Sequence, residues 1–266
     1  MNKDIIMKKL NEPNEYKNCY VAFLDMLGFK KLCYEKIFDC GMIKAVFDDI
    51  DLLINTMNEN VLNILIPESI IKEIDFGIMS DSVVISVPHD RMGLIALLYL
   101  CCRIQTMLLS NGISIRGGIA QGEFYKLKNI MFGPAMVDAY VLETEAVNPR
   151  VVISDDIIDE LKKSGVYQNK EHRTQLDLLI FCDKDDSKYF VNFFNILELV
   201  SISHNSYNKK QRIESVINDG LKNEDYKVRS KYTWLHNYFS ERKKSSITHI
   251  INEHIKSNKL NGEENA

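Results

Sequence analysis

The sequence predicts an α/β (α+β) sandwich, helices packed on a mixed sheet, followed by a C-terminal helical extension. Three observations predict it. Apolar runs of strand length alternate with longer segments of helical period over roughly the first 195 residues. Two of those runs, residues 20–26 and 113–120, are largely apolar, as expected of strands buried on both faces. Beyond residue 195 the strand-like runs stop and only helical periodicity remains.

Residues 1–18 read as a polar lead-in, residues 20–26 as a strand, and residues 29–38 as a helix. Residues 42–65 form a long helical stretch with Ile43, Val46, Phe47, Ile50, Leu53 and Ile54 on one face, closed by Pro67. Residues 71–80 and 82–87 are two strands of a hairpin with Asp81 at its tip, and Pro88 stops the second. Residues 91–110 make a strongly apolar helix with Asn111-Gly112 as its C-cap. The strand at 113–120 carries Arg116, Gly117 and Gly118, and residues 122–131 read as a turn-rich connection. Gly133-Pro134 opens a helix to residue 145, and residues 151–154 are a short strand. Asp155-Asp156 can cap a helix over 157–163 that Gly165 ends. A further hairpin, 176–181 with 189–194, turns around Asp183-Lys-Asp-Asp-Ser187. In the extension Val228, Tyr232, Leu235 and Phe239 fall at i, i+4, i+7 and i+11, a buried stripe that Trp234 and Tyr238 widen. The expected organisation is a lead-in (1–18), a main domain (19–195), a helical extension (196–257) and a polar tail (258–266).

Net charge is -4 over 266 residues, so no basic field points to nucleic acid. The basic clusters after residue 208 (Asn208-Lys-Lys-Gln-Arg212, Lys227-Val-Arg229, Arg242-Lys-Lys244) read as solvated helix faces. Cys19, Cys33, Cys40, Cys101, Cys102 and Cys182 contain no Cys-x-x-Cys pair. They read as small core residues in a reducing cytosol, and the expected location is cytoplasmic. No apolar stretch marks a signal peptide, and Arg103 and Gln105 interrupt the most apolar helix, so no membrane span is expected.

Two aspartates carry the chemistry. Asp25, in Val21-Ala-Phe-Leu-Asp-Met-Leu-Gly-Phe29, stands where a buried strand gives way to a turn. Gly28 lets a phosphate approach the backbone, and the amides of the next helix face its charge. Asp81, in Phe76-Gly-Ile-Met-Ser-Asp-Ser-Val-Val-Ile-Ser86, sits at the hairpin tip. Singly, each is an ordinary cap or turn residue. Together they can hold the paired divalent ions that phosphoryl transfer uses. Arg116 reads equally as a charge donor and as a structural arginine. Arg150 reads as structural, Asp138 as solvent-facing, and His236 as helix surface or the edge of the core. Asp183, Asp185 and Asp186 lack the ligand spacing of a calcium loop and read as a solvated turn.

Phe23-Leu-Asp-Met-Leu-Gly-Phe29 resembles the Phe-x-Asp-x-x-Gly-Phe strand end of class III nucleotide cyclases. Asp81 matches that family's second metal aspartate, with Ser80 where the family usually has glycine. Arg116-Gly-Gly-Ile-Ala-Gln-Gly122 resembles its Arg-x-Gly-Ile-x-x-Gly strand, and Gly133-Pro-Ala-Met-Val-Asp-Ala-Tyr-Val-Leu-Glu143 its next helix. Asn148-Pro-Arg-Val-Val-Ile-Ser154, Tyr189-Phe-Val and Lys231-Tyr-Thr-Trp-Leu235 are most similar to the bacterial anti-phage Pycsar cyclases. The resemblance covers about residues 18–195 and is weaker over the extension.

The resemblance implies a class III adenylate/guanylate cyclase-like core of ferredoxin-like palm type and a homodimeric lyase. It implies that UTP or CTP is converted to the 3',5'-cyclic monophosphate, cUMP or cCMP, and pyrophosphate, as an anti-phage signal to a separate effector. Asp25, Asp81 and the Met26 carbonyl would hold two Mn²⁺ or Mg²⁺ ions. Arg116 would be catalytic, and the amides of Leu27, Gly28 and Phe29 would receive the phosphates. Two departures stand out. Val137 and Val141 occupy the positions of the family's transition-state Asn and Arg, so either Arg116 or Arg150 supplies the positive charge, or the metals carry more of the work, or the chain is the alternative, a catalytically degenerate nucleotide-binding or regulatory protein, which the intact aspartate pair opposes. Gly77 replaces the purine-selecting Lys or Glu, which is compatible with a pyrimidine substrate. A diguanylate-cyclase or polymerase-palm relative ranks last, for want of a Gly-Gly-Asp/Glu-Glu-Phe signature.

Overall fold

The computed structural model describes residues 15–35, 40–55, 66–127, 130–164, 178–201 and 207–244. Most of the lead-in, residues 56–65 of the expected long helix, Gly165 and everything beyond residue 244 lie outside the described residues.

Strand β1 (Lys17–Met26) is followed by helices α1 (Phe29–Tyr34) and α2 (Cys40–Asn55). The short helix α3 (Glu68–Lys72) precedes the hairpin β2 (Asp75–Met79) and β3 (Ser82–Pro88). Next come α4 (Arg91–Ser110), β4 (Ile115–Leu127), β5 (Ile130–Phe132), α5 (Pro134–Glu145), β6 (Val151–Ile153) and α6 (Asp155–Lys163). The hairpin β7 (Ile180–Cys182) and β8 (Tyr189–Val191) leads to α7 (Phe193–Ser201), α8 (Tyr207–Gly220) and α9 (Tyr226–Lys244).

The architecture is mixed α/β. One sheet runs β2-β3-β1-β4-β6-β8-β7, with β5 paired to the far end of β4. β1 is antiparallel to both neighbours, β3 and β4, and β3 is antiparallel to β2. β1 and β2 therefore run in the same direction with β3 inserted between them. β6 joins parallel to β4 and carries the β7–β8 hairpin.

Side-chain alternation along β1 divides the interior into two cores. Tyr20, Ala22, Leu24 and Met26 face the larger one, filled by α4, α7 and the extension. Cys19, Val21 and Phe23 face a smaller one with Val84, Ala120, Phe124, Ala135 and Ala139, beneath α5. Asp25 is the next residue on that second face.

Helix α4 matches its expected bounds because its ends are chemically marked. The Asp90 carboxylate accepts from the Gly93 amide at 2.8 Å, and Asn111 with Gly112 (φ 82°) ends the helix. Among the described helices α4 alone is long and apolar enough to cross a membrane, and most of it is buried in this fold. The helical extension is continuous with the core: Ile213, Ile217, Leu235, Tyr238 and Phe239 pack in the same cluster as Phe193 and Phe194. Val228 and Tyr232 of the expected stripe are half-buried.

Several expectations are corrected. Residues 71–74 are not strand. Pro67 is the N-cap of α3, and a Glu68–Lys72 ion pair at 2.8 Å supports that turn; the helix end expected before Pro67 lies outside the described residues. The turn-rich connection over 122–131 is also overturned, because β4 continues to Leu127. Gly122 (φ 145°) stays in the ladder opposite Cys19, and Phe124 beyond it is buried, so this glycine bends the strand without ending it. Phe193 and Phe194 begin α7 instead of extending β8. Asp155 and Asp156 lie inside the first turn of α6, after Ser154. Cys33 is exposed, not core, while Cys19, Cys101 and Cys102 are buried free thiols.

Candidate active site at the end of the central strands

The site grows from the register of three strands. Asp25 lies opposite Ser82 of β3 on one side and Arg116 of β4 on the other. Directly opposed residues of antiparallel strands share a face, so Asp25 and Arg116 project together. The Arg116 Nε is 3.7 Å from the Asp25 Oδ2. It is also 2.5 Å from Glu143 Oε1, on the inner side of α5.

The glycines of β4 make this approach possible. A Cβ on Gly118 would stand 2.3 Å from the Ala139 carbonyl oxygen and 2.4 Å from the Leu142 Cβ. α5 thus lies almost directly on the strand, its inner stripe reading Ala135, Ala139, Glu143. A Cβ on Gly117 would be 2.5 Å from the Phe23 carbonyl oxygen of β1.

Asp81 arrives from the other side. Ser80 and Asp81 are the two residues of the β2–β3 turn, between the paired Met79 and Ser82. Ser80 has φ 58°, the left-handed conformation that glycine adopts without cost. The Asp81 carbonyl accepts from the Met26 amide at 3.0 Å, which ties the hairpin tip to the end of β1. The amide and carbonyl of one strand residue point to the same edge, so the Met26 carbonyl is also directed to the Asp81 side.

The charges are coupled. Burial raises the Asp25 carboxyl above its usual range and the neighbouring Asp81 adds to this, while Arg116 and Lys231 oppose it. Burial likewise raises Glu143, with Arg116 opposing and both aspartates contributing. Lys231 of α9 is pushed down by burial and then by Arg116, while Asp25 and Asp225 pull it up.

The structure therefore brings Asp25, Asp81, Arg116 and Met26 together. Gly28 (φ 81°) opens α1, whose first intrahelical acceptor is its carbonyl, bonded by the Lys31 amide at 2.9 Å. The amides of Gly28, Phe29 and Lys30 precede that bond. Leu27 departs from expectation: its amide donates to the Ser114 carbonyl at 2.8 Å and is not free for a ligand. Sequence reasoning missed Glu143 as a site residue. The available signal was a carboxylate in an alanine-spaced stripe.

Arg150 is structural, as expected. It is buried, it pairs with Asp183 and Asp186, and its guanidinium lies 5.6 Å and 5.7 Å from the ring centres of Phe190 and Trp234. The solvated turn expected at Asp183 is corrected by the same contacts, since Asp183 is buried and also accepts from the Trp234 Nε1 at 2.9 Å. Burial works against the Asp186 charge, yet hydrogen bonds from Arg150 hold its carboxyl below the ordinary value. Asp138 and His236 are exposed.

Among the described residues no three His, Cys, Asp or Glu side chains gather as a metal cluster. Two carboxylates and a backbone carbonyl are nevertheless a hard-oxygen donor set of the kind Mg²⁺ and Mn²⁺ take, with remaining positions left to water and phosphate. The mutual repulsion of Asp25 and Asp81 is a negative surplus that a divalent ion would relieve. A cleft of about 600 Å³ between β4 and α6 lies further along the sheet, and Asp156, Asp159 and Glu160 make its lining unsuited to a polyphosphate.

No protein-family model matches the chain, and no curated protein is significantly similar to it.

Proposed function

We propose that the protein is a pyrimidine nucleotide cyclase, a lyase that converts UTP or CTP to the 3',5'-cyclic monophosphate and pyrophosphate. The observation that carries the reading is the meeting of Asp25, Asp81 and Arg116 at one end of the central strands. The β2-β3-β1-β4 order, with β3 between two strands of like direction, supports the ferredoxin-like palm expected of a class III cyclase.

The substrate triphosphate would lie over the turn after β1, its phosphates against the Gly28, Phe29 and Lys30 amides. Arg116 faces the charge that grows as the 3'-oxygen attacks the α-phosphate and pyrophosphate leaves, and Glu143 orients its guanidinium. Two Mn²⁺ or Mg²⁺ ions held by Asp25, Asp81 and the Met26 carbonyl would supply activation of the 3'-hydroxyl and neutralisation of the triphosphate.

A pyrimidine is favoured by the packing at Gly77. A Cβ there would stand 2.6 Å from the Met131 sulfur, so an apolar side chain fills the place of a purine-selecting Lys or Glu. A homodimer is favoured by the outer face of α5, where Val137, Tyr140 and Val141 are exposed. The cyclic nucleotide would act in the cytoplasm on a separate effector in anti-phage defence.

A second reading, a degenerate nucleotide-binding fold, draws on the same two valines, which cannot replace the hydrogen bonds of Asn and Arg. Incubation of the purified protein with Mn²⁺ and each of ATP, GTP, CTP and UTP, with products identified by chromatography and mass, separates the two. The expected result is a cyclic monophosphate from a pyrimidine triphosphate that disappears in Asp25→Ala. Triphosphate binding with no product from any of the four points instead to the degenerate reading or to a need for a phage-derived activator.

A further inference from the structure

We propose that Glu143 keeps Arg116 off Asp25 and so holds the Asp25 carboxylate open for a divalent ion. This goes beyond aiming the guanidinium, because it makes α5, through Glu143, a determinant of metal affinity. The inference rests on reading Asp25 and Asp81 as a metal-binding pair.

Arg116 stands between two rival carboxylates and is not shared equally. Its Nε lies 2.5 Å from Glu143 Oε1 but 3.7 Å from Asp25 Oδ2. Its Nη1 reaches the Ala146 carbonyl, at 3.5 Å, just past the last turn of α5. The negative end of the α5 dipole lies there too and favours a cation. A carboxylate, a carbonyl and a helix end therefore draw the guanidinium toward α5, and none of them is a site aspartate.

Glu143 holds Arg116 firmly because it has no other partner. Its side chain is only 4% exposed. Neither Glu143 Oε1 nor Arg116 Nε has a hydrogen-bond partner elsewhere among the described residues. A buried carboxylate needs a counter-charge, and Arg116 is the cation in reach. The helix backbone is fixed as well. A Cβ on Gly118 would stand 2.3 Å from the Ala139 carbonyl oxygen and 3.1 Å from the Glu143 amide nitrogen, so α5 rests on β4 with no slack. The Asp25 side chain is more open, at 21% exposed, and can meet an incoming ion.

Without the competition from Glu143, Asp25 would take Arg116 as its own counter-ion. A direct guanidinium–carboxylate contact is about 2.8 Å. Closing from 3.7 Å to that contact, at an effective dielectric of about 20, strengthens the pair roughly tenfold as an equilibrium constant. A divalent ion would then have to displace an internal cation before Asp25 could ligate it. With Glu143 in place, the ion meets a carboxylate that is repelled by Asp81 and only loosely paired with Arg116.

The test titrates Mn²⁺ alone into the full chain and follows the paramagnetic resonance signal of the free ion. Wild type is compared with Glu143→Gln, Arg116→Met and the double variant Arg116→Met/Glu143→Gln, with Asp25→Ala as the control that places the ion at this site. Glu143→Gln should lose roughly tenfold in Mn²⁺ affinity. The double variant should bind at least as tightly as wild type, because no cation is left to close on Asp25. The Glu143→Gln step should be nearly neutral when made in Arg116→Met. An equal loss in both backgrounds means that Glu143 acts as a bare charge, and it overturns the inference. A lowered unfolding midpoint in Glu143→Gln with unchanged Mn²⁺ affinity overturns it as well. If Arg116→Met, which strands the buried Glu143, does not fold, a crystal structure of Glu143→Gln decides: Arg116 in contact with Asp25 supports the inference, and Arg116 unmoved overturns it. Cyclisation by wild type keeps the two readings apart. The expected Mn²⁺ pattern with no cyclic product from any triphosphate supports the inference and removes the cyclase reading. A cyclic product with Mn²⁺ affinity indifferent to Glu143→Gln removes the inference and leaves the cyclase reading standing. Wild type that binds no Mn²⁺ at this site overturns the inference.

Discussion

Replacing Arg150 by methionine tests what holds the extension to the sheet. Arg150 is only 3% exposed and stands just before β6. One guanidinium joins the start of β6, the β7–β8 turn through Asp183 and Asp186, and α9 through the Trp234 face. The substitution keeps much of the apolar volume and removes the charge. Asp183 then retains the Trp234 indole and the Asp185 amide at 3.0 Å but has no buried counter-charge. Removing one partner of a buried pair costs about 3–5 kcal/mol. The Asp186 half adds little, because its side chain is 44% exposed and solvent screens it. Set against a typical stability of about 5–15 kcal/mol, the loss is large. It corresponds to a fall in melting temperature of roughly 6–20 °C for a domain of this size. Denaturant and thermal unfolding measure it, and the double variant Arg150→Met/Asp183→Leu should recover at least half, since no charge is then stranded. A cost below about 1 kcal/mol for Arg150→Met, or no recovery in the double variant, would refute the assignment of a buried, charge-paired anchor.

Two further outcomes follow from the site. Asp25→Asn should raise the stability of the metal-free protein near neutral pH while abolishing turnover. The Asp25 carboxyl is held above its usual value by burial and by Asp81, so its contribution to stability is fully present at low pH and is lost as pH rises through the folded value. The gain should therefore shrink on acidification, and melting curves that show the variant less stable at pH 7.5 contradict the reading. Gly118→Ala should cost about 1–3 kcal/mol by overpacking, because the new methyl lies 2.3 Å from the Ala139 carbonyl oxygen and α5 must lift. It should also lower kcat by displacing Glu143 from Arg116, and denaturation at the wild-type midpoint with unchanged kinetics would count against the close α5–β4 contact.

The legible parts of this protein are those written locally. Asp25 and Asp81 could be placed because a buried strand and a two-residue turn each announce themselves over a few residues. α4 was delimited because its cap chemistry sits at both ends. Glycine misled where tertiary packing overrode it: Gly122 reads as a breaker but stays in the ladder. Glu143 was invisible as a site residue for a different reason. Nothing near it in sequence marks the site, and it arrives only by α5 closing on Gly118.

The same long-range assembly explains how the site's charge is organised. Asp25, Asp81 and Glu143 outnumber Arg116, and burial raises both Asp25 and Glu143. An incoming triphosphate would meet repulsion from the carboxylates and attraction only from Arg116 and the α1 amides. Arg116 cannot serve both sides fully, because its Nε already lies against Glu143. A buried excess of carboxylate beside a bound triphosphate would be favourable only if divalent cations entered with the substrate, so the proposed reaction would need metal.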